Sequence, residues 1–174
     1  MSTEVRELLL KVTNQLLNLK RPDHEDTFKN LGSDGKEIGY FPRDFGMEEW
    51  DWPQGVGLYG LSNGKGDPTL PNYQDFMKNW VFEQQARGLP LKNINTTAPL
   101  LTLMDLKEME GFAIEWMEWM YHHSPRTLEN GFQHVTSGDT KDELTLNDQE
   151  IWIDTLFMVV LFTAKMGVKY NRQE

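Results

Sequence analysis

Cysteine is absent from this 174-residue chain, so it has neither a disulfide framework nor a thiolate metal site, and redox chemistry says nothing of its compartment. Positive charge is scarce. Seventeen Lys and Arg face 27 Asp and Glu, a formal charge of -10, and no basic cluster offsets that background, which sets nucleic acid aside as a partner. Long apolar runs are missing too. The N-terminal MSTEVRELLLKV interleaves charges with Leu8, Leu9 and Leu10, which suits an amphipathic helix and is too short for a signal peptide. No later run reaches membrane-spanning length, so the expectation is a soluble, cytoplasmic protein without a membrane partner. There is no GxGxxG, phosphate-binding loop or GxSxG, which leaves nucleotide chemistry and serine hydrolysis without support. HExxH is lacking, and the adjacent His122 and His123 cannot both face one ion from a helix, so no metal and no cofactor are expected.

What is present is helical periodicity on the scale of one domain, residues 1–174. Val5, Leu8, Leu9, Val12, Leu16 and Leu19 mark one face of a helix from about Thr3 to Lys20, ended by Pro22. The stretch 21–44 is mostly loop, with Ile38, Tyr40 and Phe41 able to form a short strand. Pro53, just after Trp50 and Trp52, opens a second helix that reaches the Gly64-Lys65-Gly66 break. Tyr73, Phe76, Met77, Trp80 and Val81 mark a third that stops at Gly88. Thr96 or Thr97 caps a fourth with Pro99 in its first turn, and a fifth spans about 110–122. The sixth runs from Asp148 to Gly167, with Asn147 as N-cap and Glu150 as its reciprocal partner. About six helices with hardly any strand signal predict an all-α fold, and the longer loops before helices two and six are where function concentrates.

That sixth helix places Asp154 among Ile151, Phe157 and Met158, in a run apolar nearly all round. The spacing predicts a buried carboxylate two turns inside the helix. Burial can raise a carboxyl pKa by up to ~3–5 units, which would let Asp154 carry a proton to a substrate. The bland alternative is a buried aspartate satisfied by a hydrogen bond or an ion pair. Glu150 shares its helix face, but capping is the role its position favours. Trp50, Trp52, Trp152 and Phe132 suit stacking on a pyranose ring, although large aromatics more often fill cores. His134 precedes a Gly/Asp-rich loop at 137–142, where a histidine can be simply solvated.

Taken together, EWDWPQGVGLYGL, NINTTAPLL, EWMEWMYHHSPRTLENGFQH and LNDQEIWIDTLFM resemble the N-terminal half of the unsaturated rhamnogalacturonyl hydrolases, glycoside hydrolase family 105, which are related to the unsaturated glucuronyl hydrolases of family 88. The resemblance implies half of an (α/α)6 barrel built of helical hairpins. It implies removal of the terminal 4,5-unsaturated uronic acid from pectin-derived oligosaccharides, by adding water across the vinyl ether double bond. The aspartate of the WxD motif, here Asp154 after Trp152 and Ile153, would protonate the double bond and guide the attacking water. By the same resemblance Trp52 before Gln54-Gly55-Val56, with Asp51 beside it, would stack on the unsaturated ring, and His134 of the GFxH motif would bond substrate. Asn93 stands where some relatives carry an aspartate, keeping hydrogen bonding and losing a second carboxylate. Family members are about twice as long, so a half barrel with an exposed inner wall is expected to self-associate. Two rivals follow: a noncatalytic, sugar-binding half domain, and a plain helical interaction module that binds no uronide.

Overall fold

The computed structural model describes residues 2–20, 29–31, 37–40, 46–64, 66–67, 70, 72–138 and 142–172. The elements in order are α1 (Thr3–Leu17), β1 (Lys29–Leu31), β2 (Glu37–Tyr40), α2 (Trp52–Ser62), α3 (Tyr73–Ala86), α4 (Ile94–Thr97), α5 (Leu100–Leu103), a 3-10 turn (Lys107–Met109), α6 (Glu110–His123), β3 (Val135–Ser137), β4 (Leu144–Leu146), a π turn (Leu156–Val160) and α7 (Leu161–Tyr170). The fold is predominantly helical, as the periodicity predicts. Strand β2 is the one expected around Ile38 and Tyr40, and it pairs antiparallel with β1. Phe41, Pro22, Lys65 and residues 139–141 lie outside the described residues.

Local chemistry sets the helix starts. The Ser2 hydroxyl accepts from the Val5 N–H to open α1, and Asp51 opens α2 in a capping box with Gln54. Asn72 caps α3, which is followed by Gly88 at φ +81°, a left-handed stop that costs glycine nothing sterically. The fourth helix departs from expectation in two ways. Its cap is Asn93, not Thr96 or Thr97, and it breaks into the single turns α4 and α5. Pro99 has no N–H to continue the ladder, and the Ala98 and Leu101 amides bond three residues back, to Asn95 and Ala98.

The core forms around tryptophan. The buried ring of Trp50 stacks on Trp80 with centroids 5.0 Å apart and meets Phe112 and Trp116 at an angle. Its indole N–H donates to the Thr96 carbonyl at 2.8 Å, so Trp50 is a core residue and not a sugar platform. Helix α2 lies so close to the α4–α5 turn that a Cβ at Gly55 would come within 2.5 Å of the Ala98 carbonyl carbon. That contact explains a glycine inside a helix, where it otherwise costs stability. Below it, Leu58, Met77, Leu100, Leu101, Leu103, Met120 and Phe162 are closed to solvent.

Strands β3 and β4, which the periodicity did not show, pair antiparallel with Val135 opposite Leu146 and Ser137 opposite Leu144. Two further expectations are corrected. The last helix opens at Asp154, not Asp148, and passes through the π turn before α7. The first helix buries only Thr13 and leaves Val5, Leu8 and Val12 exposed. Among the described residues no helix is long and apolar enough to cross a membrane.

Candidate active site

Asn147 to Glu150 looks like a helix cap in the sequence because it does form a hydrogen-bonded turn, with the Glu150 N–H on the Asn147 carbonyl at 3.1 Å. The turn leads elsewhere. Gln149 sits at φ +59°, held there by its own N–H on the Gln133 carboxamide at 3.0 Å and by the Leu128 N–H on its side-chain oxygen at 2.8 Å. The Asn147 amide donates to the Thr136 hydroxyl, and residues 150–152 are not helical. The capping-box role for Asn147 and Glu150 is therefore overturned.

This turn extends the β3–β4 pairing to either side of His134. The His134 N–H donates to the Glu150 carbonyl at 2.8 Å, and its carbonyl accepts from the Asn147 N–H at 3.1 Å. Backbone pairing thus fixes the histidine, and its side chain is 1% exposed, so it is not a solvated loop histidine. The Trp152 indole lies flat on the imidazole, centroids 3.8 Å apart and planes 7° off parallel. The indole N–H donates to the Glu150 carboxylate at 2.7 Å. His134 Nδ1 also stands 3.9 Å from Asp154 Oδ1, longer than a hydrogen bond and close enough for charge interaction.

Asp154 itself departs from expectation. Half of its side chain is exposed, because it begins the helix instead of lying two turns inside it, so the burial expected around this carboxylate is not there. Its neighbours Ile153, Leu156 and Val160 are exposed as well. The apolar run that predicted a buried helix is buried on one side only, through Met158, Val159 and Phe162.

The other candidates fall into a second group. Asp51 caps α2 by accepting from the Trp52 N–H at 2.7 Å, and Trp52 is partly exposed at the first position of that helix. Asn93 is 2% exposed and its amide works inside the fold. Its oxygen accepts from the Thr96 N–H, and its nitrogen donates to the Leu91 carbonyl and, at 3.2 Å, to the Ser137 hydroxyl. Asn93 thereby ties α4 to β3, the strand that follows His134. Helix α4 also packs against α2 and the π turn, which makes it the element between the two groups. Phe132 lies under the Arg126 guanidinium at 3.6 Å, on the side of the cleft bounded by Tyr121, Thr163 and Val168. Glu150 is the residue that sequence periodicity passed over. Its signal was the two-residue spacing to Trp152, which in extended chain puts both side chains on one side.

The chain is 33% identical over 139 residues to the unsaturated rhamnogalacturonyl hydrolase YesR of Bacillus subtilis (strain 168), a match covering 76% of this chain and 39% of that protein. Two solved structures, each described as a possible member of the GH105 family, superpose over 99% of this chain and 44% of theirs at 33% identity. They come from Klebsiella pneumoniae subsp. pneumoniae MGH 78578, with a TM-score of 0.70, and Salmonella enterica subsp. enterica serovar Paratyphi A str. ATCC 9150, with a TM-score of 0.71. The chain thus spans less than half the length of these relatives, and its fold is half of an (α/α)6 barrel. The family model for Glycosyl Hydrolase Family 88 matches residues 36–174, and the chain belongs to that family.

Proposed function

We propose that this chain carries the acid–base site of a hydrolase that removes a terminal 4,5-unsaturated uronic acid from short pectin-derived oligosaccharides, with the cytoplasm as its setting. The observation that supports it is the meeting of Asp154, His134 and Trp152: a half-open carboxylate, a buried imidazole beside it and an aromatic face. Asp154 gives its proton to C4 of the double bond, and positive charge develops at C5 and the ring oxygen. The same carboxylate, now a base, takes a proton from the water that adds to C5. The resulting hemiketal opens, and the hemiacetal left at C1 releases the remaining sugar, with one water consumed. Trp152 and Trp52 offer stacking faces to the ring, Asp51 offers a polar contact at its edge, and His134, buried beneath Trp152, backs that platform from behind. Asn93 shapes the site by holding α4 against β3.

The test is loss of the ultraviolet absorbance of the conjugated double bond when an unsaturated rhamnogalacturonan disaccharide is incubated with the purified chain. Loss with the native chain and none with Asp154→Asn is the expected result. No loss with a folded native chain overturns turnover by this chain.

A second reading is favoured by two exposed apolar stripes: the chain is a sugar-binding half domain that associates with a second copy of itself. Val5, Leu8 and Val12 form one stripe on α1, and Leu156, Val160 and Val168 form the other on the last helix. Val5 lies seven residues from Val12 and Leu156 twelve from Val168, so the stripes run ~10 and ~18 Å. A two-fold pair would set each copy's α1 stripe against its partner's α7 stripe and bury both. Sedimentation should show a dimer that Val160→Asp dissociates, and a native monomer at micromolar concentration overturns the pairing.

A further inference from the structure

Besides its N–H on the Asn147 carbonyl, Glu150 accepts twice, once by backbone and once by side chain. Its carbonyl accepts from the His134 N–H at 2.8 Å, and its carboxylate accepts from the Trp152 indole N–H at 2.7 Å. The rings those two residues carry are stacked at 3.8 Å. The result is a closed loop: Glu150 to His134 through backbone, His134 to Trp152 through ring contact, and Trp152 back to Glu150 through a charge-assisted hydrogen bond. Trp152 is 42% exposed with one face covered by the imidazole, so the opposite face is the one open to a ligand. No helix supports this tryptophan, since residues 150–152 are not helical. An indole so exposed has other rotamers within reach unless its N–H is held.

We infer that Glu150 is a positioning residue: it locks the Trp152 ring flat against His134, which presents the outer indole face as a platform for the unsaturated sugar ring. This rests on the hydrolase reading above for the identity of the ligand, and on the hydrogen bonds alone for the lock. The carboxylate does not touch the reacting atoms. Its effect passes through Trp152, so its loss should weaken substrate binding while leaving proton transfer by Asp154 intact. The backbone bond to His134 does not depend on the side chain, and truncating Glu150 at this exposed position leaves the turn in place.

The experiment compares Glu150→Ala, Glu150→Gln and the native chain by proton NMR of the histidine rings. The chain has four histidines, and the His134 signals are assigned by their disappearance in His134→Gln. An imidazole under an indole face is shifted upfield by the ring current. The native chain and Glu150→Gln, whose carboxamide oxygen still accepts from the indole, should both show that shift, and Glu150→Ala should lose it. In the hydrolysis assay Glu150→Ala should raise KM about tenfold with kcat unchanged, the scale of one charge-assisted hydrogen bond and the pattern of a contact made equally in ground and transition states. An unchanged upfield shift in Glu150→Ala, or a fall in kcat with KM unchanged, overturns the assignment. A native chain without turnover sinks the hydrolase reading, and the NMR comparison still decides the lock.

Discussion

Two glycines of α2 should respond in opposite directions to the same substitution. At Gly55 an added methyl would lie 2.5 Å from the carbonyl carbon and the Cβ of Ala98 and 2.6 Å from the Pro99 nitrogen. None of these atoms is the end of a flexible side chain, so relief requires moving α2 away from the α4–α5 turn. Overpacking of this kind costs ~1–3 kcal/mol, and rigid backbone on the far side puts it at the upper end. Helix propensity returns ~0.5–1 kcal/mol, which leaves a net loss of about 2 kcal/mol. For a domain of this size 1 kcal/mol moves the melting temperature by ~2–4 °C, so Gly55→Ala should melt ~4–8 °C lower. At Gly60 nothing lies within 4 Å of the added methyl. There the propensity gain stands alone, and Gly60→Ala should melt ~1–4 °C higher. Thermal unfolding followed by circular dichroism on the three proteins checks both. A Gly55→Ala protein as stable as the native one would refute the close packing of α2 on that turn, and a less stable Gly60→Ala protein would refute the open space at Gly60. Because α2 begins with Asp51 and Trp52, the same displacement should also weaken sugar binding in Gly55→Ala.

Asn93→Ala removes the α4 cap and the tie to Ser137, and should cost ~1–2 kcal/mol; urea unfolding with an unmoved midpoint would contradict that. Asp154→Asn should leave stability within ~0.5 kcal/mol of native, as expected for a half-exposed side chain, and a large drop in melting temperature would show that Asp154 holds the fold. Burial, then the hydrogen bond to Glu110, push the Tyr170 phenol up from 10.0 to about 12. A group whose value is raised by folding stabilises fully below its unfolded value, and that contribution is lost as the pH rises through about 12. Tyrosinate absorbance of the folded chain should therefore contain a late step from Tyr170. Tyr170→Phe should delete the step and Glu110→Gln should move it to lower pH.

Much of the fold was legible because helix faces repeat, and the residues at 73, 77, 80 and 81 or at 116, 117 and 120 do meet in the core. Proline and asparagine were harder to weigh. Pro99 was read as a first-turn residue when its missing N–H splits the segment, and the cap was read at Thr96 or Thr97 when it is Asn93. The candidate site was legible as a set of residues and illegible as an arrangement. Nothing local announces that Trp152 will lie on a histidine 18 positions earlier, because that contact depends on how β3 and β4 pair. The misplacement of Asp154 has the same origin. Local chemistry predicts a turn at Asn147–Glu150, and a turn is there, but long-range bonds from Gln133 and Leu128 hold Gln149 in a left-handed conformation and send the chain away from helix for three more residues.

The π turn at Leu156–Val160 acts as a phase shifter. In it the Leu161 N–H bonds back to the Leu156 carbonyl, one residue further than in an α-helix, and each residue of an α-helix advances the side-chain direction by ~100°. The azimuth of Asp154 is accordingly set by a residue count, independently of the contacts that seat Phe162 and Met166 in the core. A one-residue deletion inside the turn would swing the carboxylate about a quarter of the way round the helix and away from His134, while every core contact of α7 stayed where it is. Substitutions cannot do this, since they change what a position carries and not the angle at which it points. The acid and the core are thus two separately adjustable parts of one helix.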